Sequence, residues 1–256
     1  MSASGLTGSD GIVDKWRGRV GMIHPRVCCD MEIYDFYRVA PPDVVLVTTH
    51  LEVNDSARAD EIELSLTLLE RAVERLTASG VSFILKNGVP LQIHHGPEGH
   101  HSIVERLRAA SNVPVTTGAD ALMDAFNTLN RRNILLISSW RAGASHLVEK
   151  LESVFATRGV RICGVEGLGR DYHSFEKNRV TQAMLVEQVV WAHNRHPEAE
   201  AVYIQSGTLS TVPIIDMLEQ RIGKPVVSSN SANAWAYFRH LGLRVKPGFG
   251  ELLSTL

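Results

Sequence analysis

The chain has 256 residues, 44% of them apolar and 21% charged, ordinary values for a globular protein with a real core. Its length suits one large α/β domain or two lobes of about 120 residues. The formal net charge of −2 provides no basic field for nucleic acid or an anionic membrane, so a bound anion must be held by local groups.

Met1 to Gly11 is rich in Ser and Gly, with neither the charged start nor the apolar stretch of a secretory signal. We read residues 1–18 as a disordered leader. No apolar run reaches the roughly 18 residues of a membrane span. Cys28, Cys29 and Cys163 make no CxxC pair and no metal-ligand spacing. An odd count with two adjacent residues suits reduced thiols, and the expected location is the cytoplasm.

In chain order, the short apolar or β-branched runs are Val20–Ile23, Val44–Val47, Val81–Leu85, Pro114–Thr117, Ile134–Ile137, Val202–Ile204 and Pro225–Ser228. They alternate little, as strands buried on both faces of a parallel sheet do. Between them, Ile62–Leu76, Ser145–Thr157 and Thr181–His193 carry helical apolar periodicity. Strands alternating with helices predict βαβ units and a helix-covered parallel sheet.

The sequence also repeats itself. Phe83-Ile-Leu-Lys-Asn-Gly88 matches Val202-Tyr-Ile-Gln-Ser-Gly207, and Val115–Phe126 matches Val227–Phe238. A weaker pair is Val20–Pro25 with Ile134–Ser139. Three pairs in the same order predict a duplication. The expected fold is therefore α/β, with two similar flavodoxin-like parallel-sheet lobes related by a pseudo-twofold. The first lobe spans 19–117 plus 226–256 and the second 118–225. Ligands of open parallel sheets sit beyond the strand carboxyl ends, which places a site in the cleft between the lobes.

Met22-Ile-His-Pro25, Asn87-Gly-Val-Pro-Leu91, Ser206-Gly-Thr-Leu209, Pro225-Val-Val-Ser-Ser229 and Pro247-Gly-Phe-Gly250 together resemble the aspartate/glutamate racemase superfamily. The nearest branch is that of maleate cis–trans isomerases and arylmalonate decarboxylases. The resemblance runs from about Arg19 to the C-terminus. It implies cofactor-independent proton transfer at the carbon next to a carboxylate, with a cysteine from each lobe as acid and base on opposite faces. This sequence departs from that pattern at both positions. Gly88 (Asn87 if the register slips by one) stands at the first and Ser206 at the second, and none of the three cysteines matches either.

Ser206, Lys86 and His24 are then the candidate catalytic groups. Ser206 can donate to a substrate carboxylate or enediolate, or simply cap the next helix. Lys86, at the end of an apolar strand, is either a desolvated base or a structural amine. His24 titrates in the useful range. Arg26, Asn87, Gly88, Val89, Trp140, Gly207 and Thr208 are candidate substrate-binding residues. Arg26 suits forked carboxylate recognition, and the amides of Gly88 and Val89 suit an anion. Trp140 either floors the pocket or belongs to the core. Thr116-Thr117 and Ser228-Ser229-Asn230 read as helix N-caps.

The run His94-His-Gly-Pro-Glu-Gly-His-His101 fits no structural zinc spacing and reads as a solvated loop. No cofactor and no metal are expected. The expected partners are a small carboxylate substrate and further copies of the chain, with neither nucleic acid nor membrane. The leading function is an isomerase or decarboxylase acting on a small mono- or dicarboxylate. A non-catalytic carboxylate binder is one alternative. A metal-dependent hydrolase or hydratase using His94, His95, His100 and His101 with Glu98 is the other.

Overall fold

Among the described residues, eight parallel strands form two sheets of identical topology; seven come from the apolar runs, and the eighth, over Arg161–Glu166, was not foreseen. The computed structural model describes residues 15–25, 30–53, 58–140, 145–168, 176 and 179–256; of the predicted leader 1–18, residues up to 14 lie outside them, whereas Arg17 pairs with Asp43 and Gly18 opens the first strand. In the first half, β1 (Gly18–His24), β2 (Val44–His50), β3 (Phe83–Lys86) and β4 (Val115–Thr117) lie in the order β2-β1-β3-β4. In the second, β5 (Asn133–Ser138), β6 (Arg161–Glu166), β7 (Ala201–Gln205) and β8 (Val226–Ser228) lie in the order β6-β5-β7-β8. The two halves are thus the same doubly wound unit twice, as the repeat predicts.

Side-chain alternation sorts each strand between two cores. Val20, Met22, Phe83, Leu85, Ile134, Leu136, Tyr203 and Val227 belong to one core shared by both sheets. The opposite faces are covered separately. Ile23 and Ile84 pack beneath α2 (Ala59–Leu66), α3 (Leu69–Ala78) and α5 (Gly96–Ala109). Val202 and Ile204 pack beneath α8 (Gln182–Arg195) and α9 (Ile215–Ile222). The shared core is filled by α1 (Asp30–Val39), α4 (Val89–Ile93), α6 (Gly118–Thr128), α7 (His146–Ala156) and α10 (Ser229–Leu241).

The lobes exchange helices. After β4, α6 leaves the first sheet, and its Phe126 packs edge-on against Tyr203 of β7. After β8, α10 returns to the first sheet, where Tyr237 donates to the Gly21 carbonyl and packs against Phe83. Gly18 permits that approach, because a Cβ there would sit 2.7 Å from Leu241. The predicted C-terminal crossover begins only with α10. β8 hydrogen-bonds to β7, so residues 226–228 belong to the second sheet and not to the first lobe.

Three further expectations are corrected. The single helix over Ile62–Leu76 is two helices. Ser65 and Thr67 turn their hydroxyls onto the Ile62 and Leu64 carbonyls and compete with the helical ladder there. The histidine run is helical rather than a loop: α4 ends at His94, Gly96 turns the chain at φ 68°, and α5 carries the rest. The repeat is also one residue out of register. Val20 pairs with Phe83 and Ile134 with Ala201, so Phe83 corresponds to Ala201, Asn87 to Gln205 and Gly88 to Ser206. Likewise Thr117 corresponds to Ser228, and each caps the helix that follows, accepting from the backbone N–H three residues on. A one-residue slip moves every strand side chain to the opposite face, which letter matching does not detect.

One carboxylate ties the two lobes. Asp35 of α1 is fully buried and accepts from the Ser210 and Thr211 hydroxyls, the Thr211 and Val212 backbone N–H groups and the Asn230 amide. Replacing Asp35 with Ala strands several buried donors, each costing roughly 1–3 kcal/mol. We expect at least about 3 kcal/mol of lost stability in urea unfolding. A loss below about 1 kcal/mol would place the lobe junction elsewhere.

Candidate active site

The carboxyl ends of β1, β3 and β7 converge on one side chain, Glu32 in the first turn of α1. Glu32 is buried. Asn87, just after β3, donates its amide to Oε2, and Asn233 of α10 donates to Oε1 at 2.6 Å. Asn233 also donates to Asn87 Oδ1 at 3.2 Å, and the Gly88 N–H donates to the same oxygen at 2.6 Å. From the second lobe, Gly207 closes over this group. A Cβ on it would sit 3.2 Å from Glu32 Oε2 and 3.3 Å from the Asn87 amide nitrogen. Gly118, at the start of α6, lies equally close to Asn233 and Asn87.

His24 ends β1 on the same inner face as Val20 and Met22. Its Nδ1 lies 3.9 Å from Glu32 Oε2, and its ring stacks on His50 at 5.4 Å between centroids. Both ring nitrogens of His24 and the side-chain carbonyls of Asn230 and Asn233 are buried without a hydrogen-bond partner. Those of His24 and Asn233 flank Glu32 and are groups an incoming polar ligand would satisfy.

Burial decides the charge here. It pushes the Glu32 carboxyl up to about 8, reinforced by the nearby Asp35 charge and opposed by the Asn233 and Asn87 amides. Burial, with the neighbouring His50, pulls the His24 ring down to about 3. At neutral pH the site therefore holds a protonated carboxylic acid beside an uncharged imidazole.

The remaining candidates divide between the two sheet faces. Lys86 is fully buried but lies on the opposite face of β3, with Ile84. Its amine is 3.4 Å from the Gly88 carbonyl. Burial, opposed by Asp120 and aided by the Lys86 charge, lowers the titration of His100 on α5. His100 meets Thr117 at 3.2 Å, with Asp120 at 3.6 Å. Ser206 is buried. Its Oγ accepts from the Thr208 N–H and lies 2.9 Å from the Thr208 hydroxyl. Val89 opens α4 and packs into the shared core, as does half-buried Trp140, whose backbone N–H donates to the Ser138 hydroxyl. Arg26, Cys28 and Cys29 lie outside the described residues. Cys163 sits on β6, away from these loops, with its thiol pushed up by burial. Gly88 has φ 89°, and a Cβ there would meet Pro25 at 2.7 Å, so this backbone has no room for a thiol at that position.

The histidine run is not one ligand set. His100 faces Thr117 and Asp120, whereas His94 and His95 turn to Glu63 of α2 rather than to Glu98. Sequence reasoning missed Glu32 and Asn233, which lie inside helices and belong to no motif. The signal was present in α1, where Glu32, Asp35, Phe36 and Val39 make an i, i+3, i+4, i+7 buried face. Two acids on the apolar face of a helix mark a built polar site.

A two-lobed α/β unit with polar groups of both lobes gathered between its strand ends defines a class of small-molecule enzyme folds. The arylmalonate decarboxylase family model matches residues 54–253, and this chain belongs to that family. It is 28% identical over 187 residues to arylmalonate decarboxylase of Bordetella bronchiseptica, covering 70% of this chain and 74% of that one. It is 26% identical over 195 residues to maleate isomerase of Nocardia farcinica, covering 72% and 74%. A crystal structure of arylmalonate decarboxylase superimposes with a TM-score of 0.81 at 24% identity, over 93% of this chain and all of that one. These relatives are decarboxylase and isomerase enzymes. Among the described residues, no helix is long and apolar enough to cross a membrane.

The two titrations act on stability with opposite signs. Glu32 binds its proton more tightly when folded, so its contribution is whole below about 4.5 and is lost as pH rises through about 8. His24 binds its proton less tightly when folded, so its contribution is present above about 6.5 and lost as pH falls toward 3. Glu32→Gln should remove the alkaline decline, which amounts to at most about 1.4 kcal/mol per pH unit inside its window. Urea midpoints of wild type and variant at pH 5, 6.5 and 8 measure this. Parallel curves would show that Glu32 titrates normally.

Proposed function

We propose that this chain is a cofactor-independent enzyme that transfers a proton at the carbon next to a carboxylate of a small mono- or dicarboxylate substrate. Its reaction is of the decarboxylase or isomerase type, and non-thiol groups replace the family cysteines. The observation that carries this reading is the meeting of the Asn87-Gly88 and Ser206-Gly207 loops on protonated Glu32, beside a His24 ring with no partner.

In the decarboxylase form, the bond between the α-carbon and one carboxylate breaks. That group leaves as carbon dioxide, and its electron pair remains on the α-carbon as an enediolate of the other carboxylate. One hydroxyl of the hydrogen-bonded Ser206–Thr208 pair donates to that developing charge, which a water-excluded site stabilises more than water does. The α-carbon then takes a proton, and Glu32 with neighbouring His24 supplies it. In the isomerase form a ring nitrogen of His24 takes the α-proton, Glu32 gives its own to the α-carbon, and the proton on His24 then passes to Glu32 to restore both groups. Lys86, behind the sheet, holds the Gly88 carbonyl and so sets the loop that carries the Asn87 amide.

The test uses full-length protein with arylmalonate and maleate substrates in deuterium oxide. NMR should show deuterium at the α-carbon and product without added cofactor. Ser206→Ala should lower kcat by roughly a hundredfold with little change in KM, the effect of losing one oxyanion donor. kcat should fall as pH rises through about 8, where Glu32 loses its proton. Replacing Cys163 should change none of this. A chain that binds these carboxylates but incorporates no deuterium would be a binding protein, and the enzymatic reading would fall.

A further inference from the structure

The histidine segment that the proposed function leaves unused carries a second site. We propose that Glu63, His94 and His95 bind a divalent transition metal of the zinc, cobalt or nickel class, with the remaining coordination positions open to water. One ligand atom from each of the three residues lies within 4.8 Å of the others. His95 Nε2 is 2.7 Å and His94 Nε2 3.6 Å from the same Glu63 oxygen. Ligands about 2.1 Å from an ion stand roughly 3–3.5 Å apart, so small side-chain rotations complete the set. Two imidazoles and one carboxylate match these borderline ions rather than magnesium or calcium, which take oxygen.

The local backbone is shaped for this placement. Gly96 holds φ 68° and turns α4 into α5, bringing His94 and His95 side by side with ring centroids 4.7 Å apart. At Gly99 a Cβ would lie only 2.2 Å from the His95 Cβ, so a larger residue there would displace His95 from Glu63. Without an ion, the His95 Nε2–H donates to Glu63. With an ion on Nε2, that ring carries its proton on Nδ1 instead. His146 and Lys150 at the start of α7 act electrostatically on His94, so the site borders the second lobe.

This inference does not rest on the proposed reaction. The experiment is zinc titration by calorimetry of the full chain without a histidine tag, with circular dichroism of each variant to confirm folding. Wild type should bind one equivalent. Glu63→Gln and His95→Ala should each weaken binding by more than about tenfold, beyond what loss of an outer-shell partner alone produces at its lower limit. His101→Ala, on the exposed side of α5, should leave the isotherm unchanged. Zinc binding that persists in both ligand variants, as binding through Cys28 or Cys29 would, overturns the site. So does absence of binding in wild type, or equal loss in His101→Ala.

Discussion

Asp35 fastens the first helix of one lobe to the turn after β7 in the other, and the candidate site depends on that fastening. Glu32 and Asp35 are three residues apart on one helix face. A helix held at Asp35 by two hydroxyls, two backbone amides and an asparagine cannot rotate or slide without breaking buried hydrogen bonds. Glu32, one turn earlier, is thereby held where Gly207 from the second lobe and Asn87 from the first both reach it. Lobe closure and site assembly are one geometric event. A fully hydrogen-bonded buried carboxylate performs it where an apolar contact would leave the register loose.

Two opposing effects meet at Glu32, and their balance sets the chemistry. The Asn233 and Asn87 amides and the helix start favour the carboxylate form, whereas removal from water favours the acid. Burial is the largest influence on Glu32. His24, 3.9 Å from it, is itself desolvated and neutral. A neutral acid next to a neutral base costs the fold less than a buried ion pair, and under the proposed function the acid gives its proton to a carbanion while His24 stays neutral. The partnerless nitrogens of His24 fit such a store better than a purely structural histidine, which would be hydrogen-bonded.

Much of the fold was readable because strand runs and repeats are local signals. Val20–Ile23, Ile134–Ile137 and Val202–Ile204 each became a central strand, and the ordered repeat foretold two sheets of one topology. The register of the repeat was harder to read, since the hydrogen-bond ladder decides whether Gly88 corresponds to Gly207 or to Ser206. At the site, His24, Asn87 and Gly207 were legible as strand-end residues. Lys86 was legible as buried, but alternation along β3 sends it to the far face. Glu32 and Asn233 meet across most of the chain length, and nothing local links them. Only the acidic residues on the apolar face of α1 hinted that a polar cluster lay there.

The corrected register shows how unlike the two halves have become at equivalent points. His24 corresponds to Ser138, Asn87 to Gln205 and Gly88 to Ser206. The first lobe offers the acid and the imidazole, while the second offers hydroxyls, a glutamine and glycine backbone. Reactions that pull a proton from one face of a carbon and return it to the other need titratable groups on both sides. Among the described residues, the proton-bearing groups stand on one side only. The other side can bind and orient a carboxylate, and Gln205 is committed to the Ser139 backbone and hydroxyl. Under the proposed function, this one-sidedness fits delivery of a single proton to a carbanion made by losing carbon dioxide better than exchange across two faces.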